Sequence, residues 1–361
     1  MAFSLMSYPV VYRAKYAKDK WKGEYLEKPH KTPKEEAAMK GAKLDALMAS
    51  RNFFDDLPVV SYTTQYGLSC FEGLKAFPQE NGGLSFFRPD QNAARFFRSM
   101  KGLYMPPFPE DIFLKAVTDV VKKNAKMAFR PHYKKEWEKD SFMTADSIYL
   151  RPFVYSESGI GINLCQSPSV IVVTTPVSAY FSSAETNAVV TDRIRATPKG
   201  TGWIKAASNY TISTLAKHEA AQEGYMDCIF LDAVDQKFVE EGSACNIFFY
   251  LKSGELVTPA LGDTILPGIT RASLVELARD RKIKVSERKI SIDEALSESA
   301  ECFVCGTAAG AVHISSITYK KKRTVFNKGK PGELTALLRD NLKGIQYGTI
   351  PDTKGWMVKI L

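Results

Sequence analysis

The sequence predicts a mixed α and β protein that is divided into two domains. A chain of 361 residues is more than twice the usual domain length of about 150 residues. Strand-like runs are interspersed with amphipathic helical patterns, as in α+β domains. The pattern stops at a small, polar stretch near residue 180 and then begins again. We therefore expect one domain before this stretch and a second domain after it.

The first domain is predicted to span residues 1–178. Residues 1–45 are polar and rich in lysine, so an irregular arm is expected there. From Leu57 onward, alternating apolar residues and a Gly/Glu turn predict a β-meander. Pro89 is expected to begin a helix, because proline suits a first helical position. A second helix and two strands complete the domain, in the segments DIFLKAVTDVVKKNAKM, SIYLRPFVY and SVIVVTTPV.

A linker is expected at residues 179–188, around the stretch VSAYFSSAET, which has neither a helical nor a strand period. The second domain is then expected at residues 189–361. One helix is predicted from about Ser208 to Glu223, where Gly224 is a natural C-cap. Further strands, the helices TRASLVELARD and ELTALLRDNLKGI, and a basic hairpin turn at KKKR complete the domain.

Composition and charge exclude several classes of protein. With 45% hydrophobic and 25% charged residues the chain is globular, and no run of about 18 uncharged apolar residues occurs that could span a membrane. The N-terminal residues resemble neither a secretory signal nor a mitochondrial presequence, so a cytoplasmic location is expected. The net charge of +9 is scattered, which favours a basic surface that attracts small anionic substrates over a nucleic-acid interface.

The cysteines and histidines predict neither disulfides nor a metal site. Six cysteines in 361 residues are too sparse for a disulfide scaffold and are expected to be buried thiols. Cys302 and Cys305 would point to opposite faces of a strand. His218 opens an HExx pattern, but Gln222 stands where a second zinc-binding histidine is required.

Several weak signals for catalysis occur, and each has an ordinary structural alternative. Lys205 stands in an apolar setting that suits a nucleophilic amine, although a snorkelling lysine at a helix entrance is the commoner explanation. The sequence PGITR could bind an anion at a helix N-terminus or be a plain helix start capped by Thr270. Glu240 and Glu241 could place one carboxylate inward or be a solvated pair at a loop. Arg95 and Arg151 could bind carboxylate or phosphate, but lone arginines usually lie at the surface.

A glycine-rich turn, CGTAAG, could approach a ligand closely or be a tight packing turn. Taken together, an isolated lysine, a following acid, a Gly-Thr helix start and this turn are the parts that a pyridoxal 5′-phosphate (PLP) site requires.

Seven motifs in the same order resemble those of the branched-chain amino acid aminotransferases, which are PLP enzymes of fold type IV. The motifs are YGLSCFEGLKAF, RPDQNAARFFRSM, YLRPFVY, KAASNY, EEGSACNIFF, LPGITRASLVELA and CGTAAGAV, and they cover roughly residues 60 to 315. The resemblance implies a small α+β N-terminal domain and a larger, β-barrel-like C-terminal domain with helices. The chain departs from the family at Ala207 and Ser208, where a glycine pair is usual, and its CxxC precedes the GTA turn, so no thiol switch is predicted.

The resemblance also implies a role for each site residue. Lys205 resembles the catalytic lysine that holds PLP as a Schiff base. The other cofactor-binding positions that match the family are Tyr210, Glu241, Arg95, Ile269, Thr270, Thr307 and, more weakly, Arg195. The substrate-binding positions that match are Tyr66, Phe71, Tyr149, Arg151 and Ala308. In the family the tyrosine at position 66 comes from the partner subunit, which implies a homodimer or a larger homo-oligomer.

The implied activity is a ping-pong transfer of the amino group between L-leucine, L-isoleucine or L-valine and 2-oxoglutarate. D-Amino acid aminotransferase and aminodeoxychorismate lyase are rivals within the fold, but neither is expected to combine FEGLKAF with YLRP. A non-catalytic RNA-binding protein is a rival of another class, and it would require basic patches interleaved with aromatic residues.

Overall fold

The computed structural model describes residues 5–178 and 186–361, so residues 179–185 of the predicted linker lie outside the described residues. The strands of the described chain are β1 (Val10–Ala17), β2 (Lys20–Glu27), β3 (Leu74–Pro78), β4 (Leu84–Phe87), β5 (Ser147–Tyr155), β6 (Ser169–Val177), β7 (Asn187–Val190), β8 (Asp227–Leu231), β9 (Val239–Gly242), β10 (Asn246–Leu251), β11 (Glu255–Thr258), β12 (Lys284–Glu287), β13 (Ser299–Gly306), β14 (Gly310–His313), β15 (Ser316–Tyr319), β16 (Lys322–Val325) and β17 (Met357–Lys359).

The α-helices are α1 (Pro33–Ala38), α2 (Ala42–Asn52), α3 (Tyr62–Tyr66), α4 (Pro89–Gly102), α5 (Glu110–Lys126), α6 (Asn209–Gln222), α7 (Ile269–Asp280), α8 (Ile292–Glu298) and α9 (Glu333–Tyr347). Within the described ranges, none of these helices combines the length and the apolar character that crossing a membrane requires.

The chain divides into two compact units. The first contains Met1–Tyr180, Ala206–Ser208 and Ile345–Leu361, and the second contains Phe181–Lys205 and Asn209–Gly344. This differs from the predicted linker at 179–188 and second domain at 189–361. The second unit begins at Phe181, with β7 starting at Asn187, and it lacks both Ala206–Ser208 and the end of the chain. The end of the chain is assigned to the first unit because β17 forms an antiparallel pair with β4.

The first unit is built on a seven-stranded sheet with the strand order β17-β4-β3-β5-β6-β1-β2. Every neighbouring pair in it is antiparallel. Helices α4 and α5 contribute Phe96 and Phe113 to the same core as Phe86 and Val172 of the sheet. The predicted helix start is confirmed, since α4 begins at Pro89.

The prediction of an irregular arm at residues 1–45 is wrong. Strands β1 and β2 form a hairpin there, and helices α1 and α2 follow. Tyr12 and Ala14 are buried in the core, whereas Arg13 and Lys15 point to the other face and form ion pairs with Asp56. The segment therefore has the period of two of a half-buried strand, which its lysine-rich composition concealed.

The second unit contains two five-stranded sheets, with the strand orders β12-β11-β10-β13-β14 and β16-β15-β7-β8-β9. Residues of both sheets, such as Ile229 of one and Phe249 of the other, pack into one hydrophobic core. The predicted helix is confirmed as α6, and Gly224 follows it with a left-handed φ of 83°. The basic hairpin turn is also confirmed, because Lys320 and Lys321 connect β15 to β16.

Candidate active site

Lys205 and Tyr210 lie side by side where the chain enters α6. The Nζ of Lys205 donates a hydrogen bond of 2.7 Å to the Tyr210 hydroxyl. The amide of Asn209 donates to the carbonyl oxygens of Thr201 and Ile204, at 2.7 and 3.0 Å, which holds the preceding turn against the helix start. The five-residue spacing of KAASNY therefore brings an amine and a phenol together on a fixed backbone. Lys205 is half-buried and its amine is hydrogen-bonded to Tyr210, whereas a snorkelling lysine presents its amine to water.

Glu241 is a buried carboxylate at the end of β9. Its Oε1 accepts hydrogen bonds from the Asn246 side chain at 2.7 Å and from the Leu266 N–H at 3.0 Å. Its Oε2 forms an ion pair of 2.9 Å with Nη2 of Arg195. Burial raises the pKa of Glu241 to about 7, against the opposing effect of Arg195. Glu240 is buried as well, so the alternative of a solvated acidic pair is wrong.

The start of α7 offers backbone donors to an anion. Gly268 is the N-cap and makes no side-chain cap, so Thr270 lies inside the first turn and is not the capping residue. A Cβ at Gly268 would lie 1.9 Å from Oδ1 of Asn246, which explains the glycine. The first N–H groups of an α-helix have no partner within the helix. Ile269 and Thr270 therefore present a potential phosphate cradle in the second unit.

The turn that carries Thr307 and Ala308 connects β13 to β14. Both residues are half-buried, and the turn ends at Gly310, whose φ is 72°. A Cβ at Gly310 would lie 3.0 Å from Cε of Lys343, so the turn packs against this side chain of α9. The contact with α9 therefore supports the turn within the second unit.

The predicted substrate residues Phe71, Tyr149 and Arg151 come together in the first unit. Nη2 of Arg151 donates a hydrogen bond of 3.0 Å to the Tyr149 hydroxyl, and its guanidinium carbon lies 4.5 Å from the centre of the Phe71 ring. Pairing of β3 with β5 creates this cluster. A Cβ at Gly73 would lie 2.1 Å from the Tyr149 hydroxyl, so the glycine of FEG admits the tyrosine.

Tyr66 is placed differently from these residues. It ends α3, it is 49% exposed, and its hydroxyl accepts a hydrogen bond of 2.8 Å from the Gly161 N–H. The structure therefore presents this ring at the surface of the first unit.

Arg95 forms a buried ion pair with a residue that the sequence analysis did not select. Its Nε and Nη2 donate to the two carboxylate oxygens of Glu72, at 2.8 and 2.5 Å. Arg95 is 5% exposed and Glu72 is fully buried. A charged residue within the apolar run FEGLKAF is the signal that could have identified Glu72, because a buried carboxylate needs a partner.

Arg195 and Asn246 were also not expected at the position where the structure places them. Both contact Glu241, although Arg195 was predicted to contribute to the phosphate site. The second unit therefore contains an amine next to a phenol, Lys205 and Tyr210, and also a deeply buried acid, Glu241. Such a set can hold and move a proton while it binds an aromatic nitrogen base.

Comparisons with known proteins agree with this chemistry. The family model described as Amino-transferase class IV matches residues 69–317. The branched-chain-amino-acid aminotransferase of Mycolicibacterium smegmatis is 38% identical over 307 residues, which are 82% of this chain and 80% of that protein.

Solved structures agree as well. The branched-chain amino acid aminotransferase of Escherichia coli superposes with a TM-score of 0.72 at 29% identity, over 85% of this chain and 95% of that one. The branched-chain aminotransferase of the thermophilic archaeon Thermoproteus uzoniensis, solved with norvaline, gives a TM-score of 0.72 at 27% identity, over 85% of this chain and 95% of that one.

Proposed function

The chain belongs to the class IV aminotransferase family, among the branched-chain-amino-acid aminotransferases of fold type IV, and from this premise we propose its reaction in detail. It transfers the amino group of L-leucine, L-isoleucine or L-valine to 2-oxoglutarate in a ping-pong sequence, with PLP bound at Lys205. The observation that carries the proposal is the 2.7 Å hydrogen bond between Lys205 and Tyr210, in the same unit as the buried Glu241.

The residues present fit PLP. Lys205 supplies an amine next to a phenol, and Glu241 supplies a buried acid that is fixed at both oxygens. The uncapped start of α7 supplies N–H donors. When bound, PLP provides an aromatic ring that accepts electrons from the bond to the amino-acid Cα hydrogen.

Each protein group then has a defined task. The Lys205 amine takes the proton from the amino-acid Cα and returns it as a general acid. The Tyr210 hydroxyl orients that amine through their hydrogen bond. Asn246 and Leu266 hold the Glu241 carboxylate in place, where it would pair with the protonated pyridine nitrogen of a bound cofactor.

We assign the remaining residues to phosphate and to substrate. Arg95, the backbone of Ile269 and Thr270, and Thr307 are proposed to bind the phosphate, because they offer cationic, N–H and hydroxyl donors. The Tyr149–Arg151 pair and the N–H groups of Thr307 and Ala308 are proposed to bind the substrate carboxylate. Phe71 and Tyr66 are proposed to line the side-chain pocket. The exposure of Tyr66 supports its donation to a partner subunit in a homodimer.

Steady-state kinetics test this reaction. We expect glutamate to form from 2-oxoglutarate with L-leucine, L-isoleucine and L-valine, with parallel double-reciprocal lines, because the two substrates react in separate half-reactions. D-Alanine should give no product. Product from D-alanine but not from L-leucine would favour the D-amino acid aminotransferase reaction instead. Intersecting lines would contradict the ping-pong sequence.

A further inference from the structure

We propose that Arg195 is a positioning residue that keeps Glu241 ionised and directed at the pyridine nitrogen, and that it is not a phosphate ligand. The inference rests on the proposed function and adds a role that the family motifs do not contain. It follows from the ion pair between the Arg195 and Glu241 side chains, each of which is 6% exposed.

The contacts of Arg195 lead to an acid and a carbonyl. Its Nη2 lies 2.9 Å from Oε2 of Glu241 and also donates to the carbonyl oxygen of Thr264. A Cβ at Gly202 would overlap the backbone of Thr264, at 2.5 Å from its oxygen, so the segment between Arg195 and Lys205 packs tightly there. A guanidinium that spans a carboxylate and a carbonyl has a fixed plane, because its donors have a rigid geometry.

The same contacts leave one acceptor position on Glu241. A carboxylate accepts about four hydrogen bonds, two at each oxygen. Within the part of the chain that the structure describes, Asn246 and Leu266 donate to Oε1, and Arg195 forms an ion pair with Oε2. The second acceptor position of Oε2 is therefore the one for the pyridine N–H, and Arg195 sets its direction.

Charge gives Arg195 its second effect. The charged or titratable groups that interact electrostatically with Glu241 are Arg195, Lys205, Glu240 and Cys305. The pKa of Glu241 is raised to about 7, with burial as the largest cause and a smaller contribution from Glu240, and Arg195 is the largest opposing influence. Burial also raises the pKa of the Cys305 thiol, so it carries no charge at neutral pH. Removing Arg195 therefore raises the pKa of Glu241 further and weakens this carboxylate as the counter-ion of a pyridinium.

The phosphate role of Arg195 remains the competing hypothesis. Its Nε is buried and has no acceptor among the described residues, so one donor is available through which a phosphate could act. The two roles differ in what they require of the ligand. A phosphate contact affects only phosphorylated ligands, whereas an effect through Glu241 affects every ligand with the pyridine ring.

Arg195→Gln separates the two hypotheses, with Arg193→Gln as the matched control. Arg193 lies two residues away and pairs with Glu219 at the surface, where the side chains are 37% and 49% exposed. We would measure the affinity of the apoenzyme for PLP and for pyridoxal, which lacks the phosphate, and the pH profile of the half-reaction with L-leucine. Arg195→Gln is expected to weaken both ligands by the same factor, about tenfold or more, and to move the acid limb up by about one to three pH units. Arg193→Gln should match the wild type.

A loss of affinity confined to PLP, with pyridoxal unaffected, would overturn the proposal in favour of the phosphate contact. Unchanged affinities together with an unchanged pH profile would overturn it as well. Arg195→Lys gives a second test if the glutamine variant does not fold. It keeps the charge, so the acid limb should lie within about one unit of the wild type, whereas a PLP-specific loss would again contradict the proposal. If the wild type and Arg193→Gln do not transaminate L-leucine, it is the proposed function that fails.

Discussion

Two of the buried glutamate–arginine pairs, Glu72–Arg95 in the first unit and Glu241–Arg195 in the second, are built in different ways. In the first unit both oxygens of Glu72 accept from the same guanidinium of Arg95, and the Gly73 N–H also donates to one of them. In the second unit Arg195 forms an ion pair with Oε2 of Glu241, while the Asn246 side chain and the Leu266 N–H donate to Oε1.

This difference shows which partner each pair serves. Both oxygens of Glu72 accept from Arg95, and we propose that this acid orients the cation for an anionic ligand. In the second pair we propose the reverse, that the cation orients the acid for a ligand. We therefore expect substitutions in the two pairs to act differently.

The largest expected effect comes from breaking the bidentate pair. Glu72→Ala leaves the charge of Arg95 buried without its counter-ion, and removing one member of such a pair costs about 3–5 kcal/mol. Urea unfolding of the apoprotein should show this loss. Glu219→Ala, which breaks the surface pair with Arg193, is the control and should cost less than about 1 kcal/mol. Equal losses of unfolding free energy in the two variants would show that the buried Glu72–Arg95 pair stabilises the fold no more than a surface pair does.

The pH dependence of the unfolding free energy tests the burial of Glu241 in the second pair. The pKa of Glu241 rises from 4.5 to about 7 on folding because of burial. As the pH increases from 4.5 to about 7, the unfolded chain loses this proton before the folded protein does, so folding becomes less favourable. At about 1.4 kcal/mol per pKa unit the loss is at most about 3 kcal/mol.

Glu241→Gln removes this titration, so the unfolding free energy of wild-type apoprotein should fall relative to that of the variant across this pH window. Chemical denaturation at several pH values measures the difference. A wild type that gains stability relative to the variant with rising pH would mean that Glu241 is already ionised near its ordinary pKa.

Activity should respond to the same substitution. An amide at position 241 is a poor partner for a pyridinium, so Glu241→Gln is expected to lower kcat with L-leucine by about 100-fold or more. The fold should survive, because the glutamine oxygen still accepts from Asn246 and Leu266. Single-turnover kinetics and circular dichroism check the two parts. Full activity in a folded variant would remove Glu241 from the mechanism.

Two glycine substitutions are expected to have the smallest effects and to act on different steps. Gly268→Ala places a Cβ on Asn246, so it disturbs the support of Glu241 and should weaken PLP affinity. Gly73→Ala places a Cβ on the Tyr149 hydroxyl, so it should raise KM for L-leucine with little change in PLP affinity. Each overlap should lower the free energy of unfolding by about 1–3 kcal/mol. Titration of PLP into each apoprotein and steady-state kinetics would separate them, and identical profiles would contradict the separate assignments.

Much of the fold and the site could be predicted, because the information is local. The helix at Pro89 and helix α6 have their signals within one segment, and the fold class is confirmed by the solved relatives. Lys205 and Tyr210 are only five residues apart at the start of α6, which explains why they are in contact in the structure. The roles assigned to these residues stay proposals.

The remaining features depend on contacts between distant segments. Arg195 meets Glu241 only because β7, β8 and β9 are neighbours in one sheet. Glu72 meets Arg95 through the packing of α4 against the turn before β3. The hairpin of β1 and β2 was missed because charged residues occupy one face of a strand whose other face is in the core.

The absorption spectrum of the purified protein with added PLP, recorded before and after L-leucine, is the direct test of catalysis through Lys205. We expect a visible band that L-leucine converts to the pyridoxamine form and that D-alanine leaves unchanged. Lys205→Ala should show no such conversion. A protein that stays colourless with added PLP, or a Lys205→Ala variant that converts L-leucine as fast as the wild type, would contradict the assignment of Lys205 as the catalytic lysine.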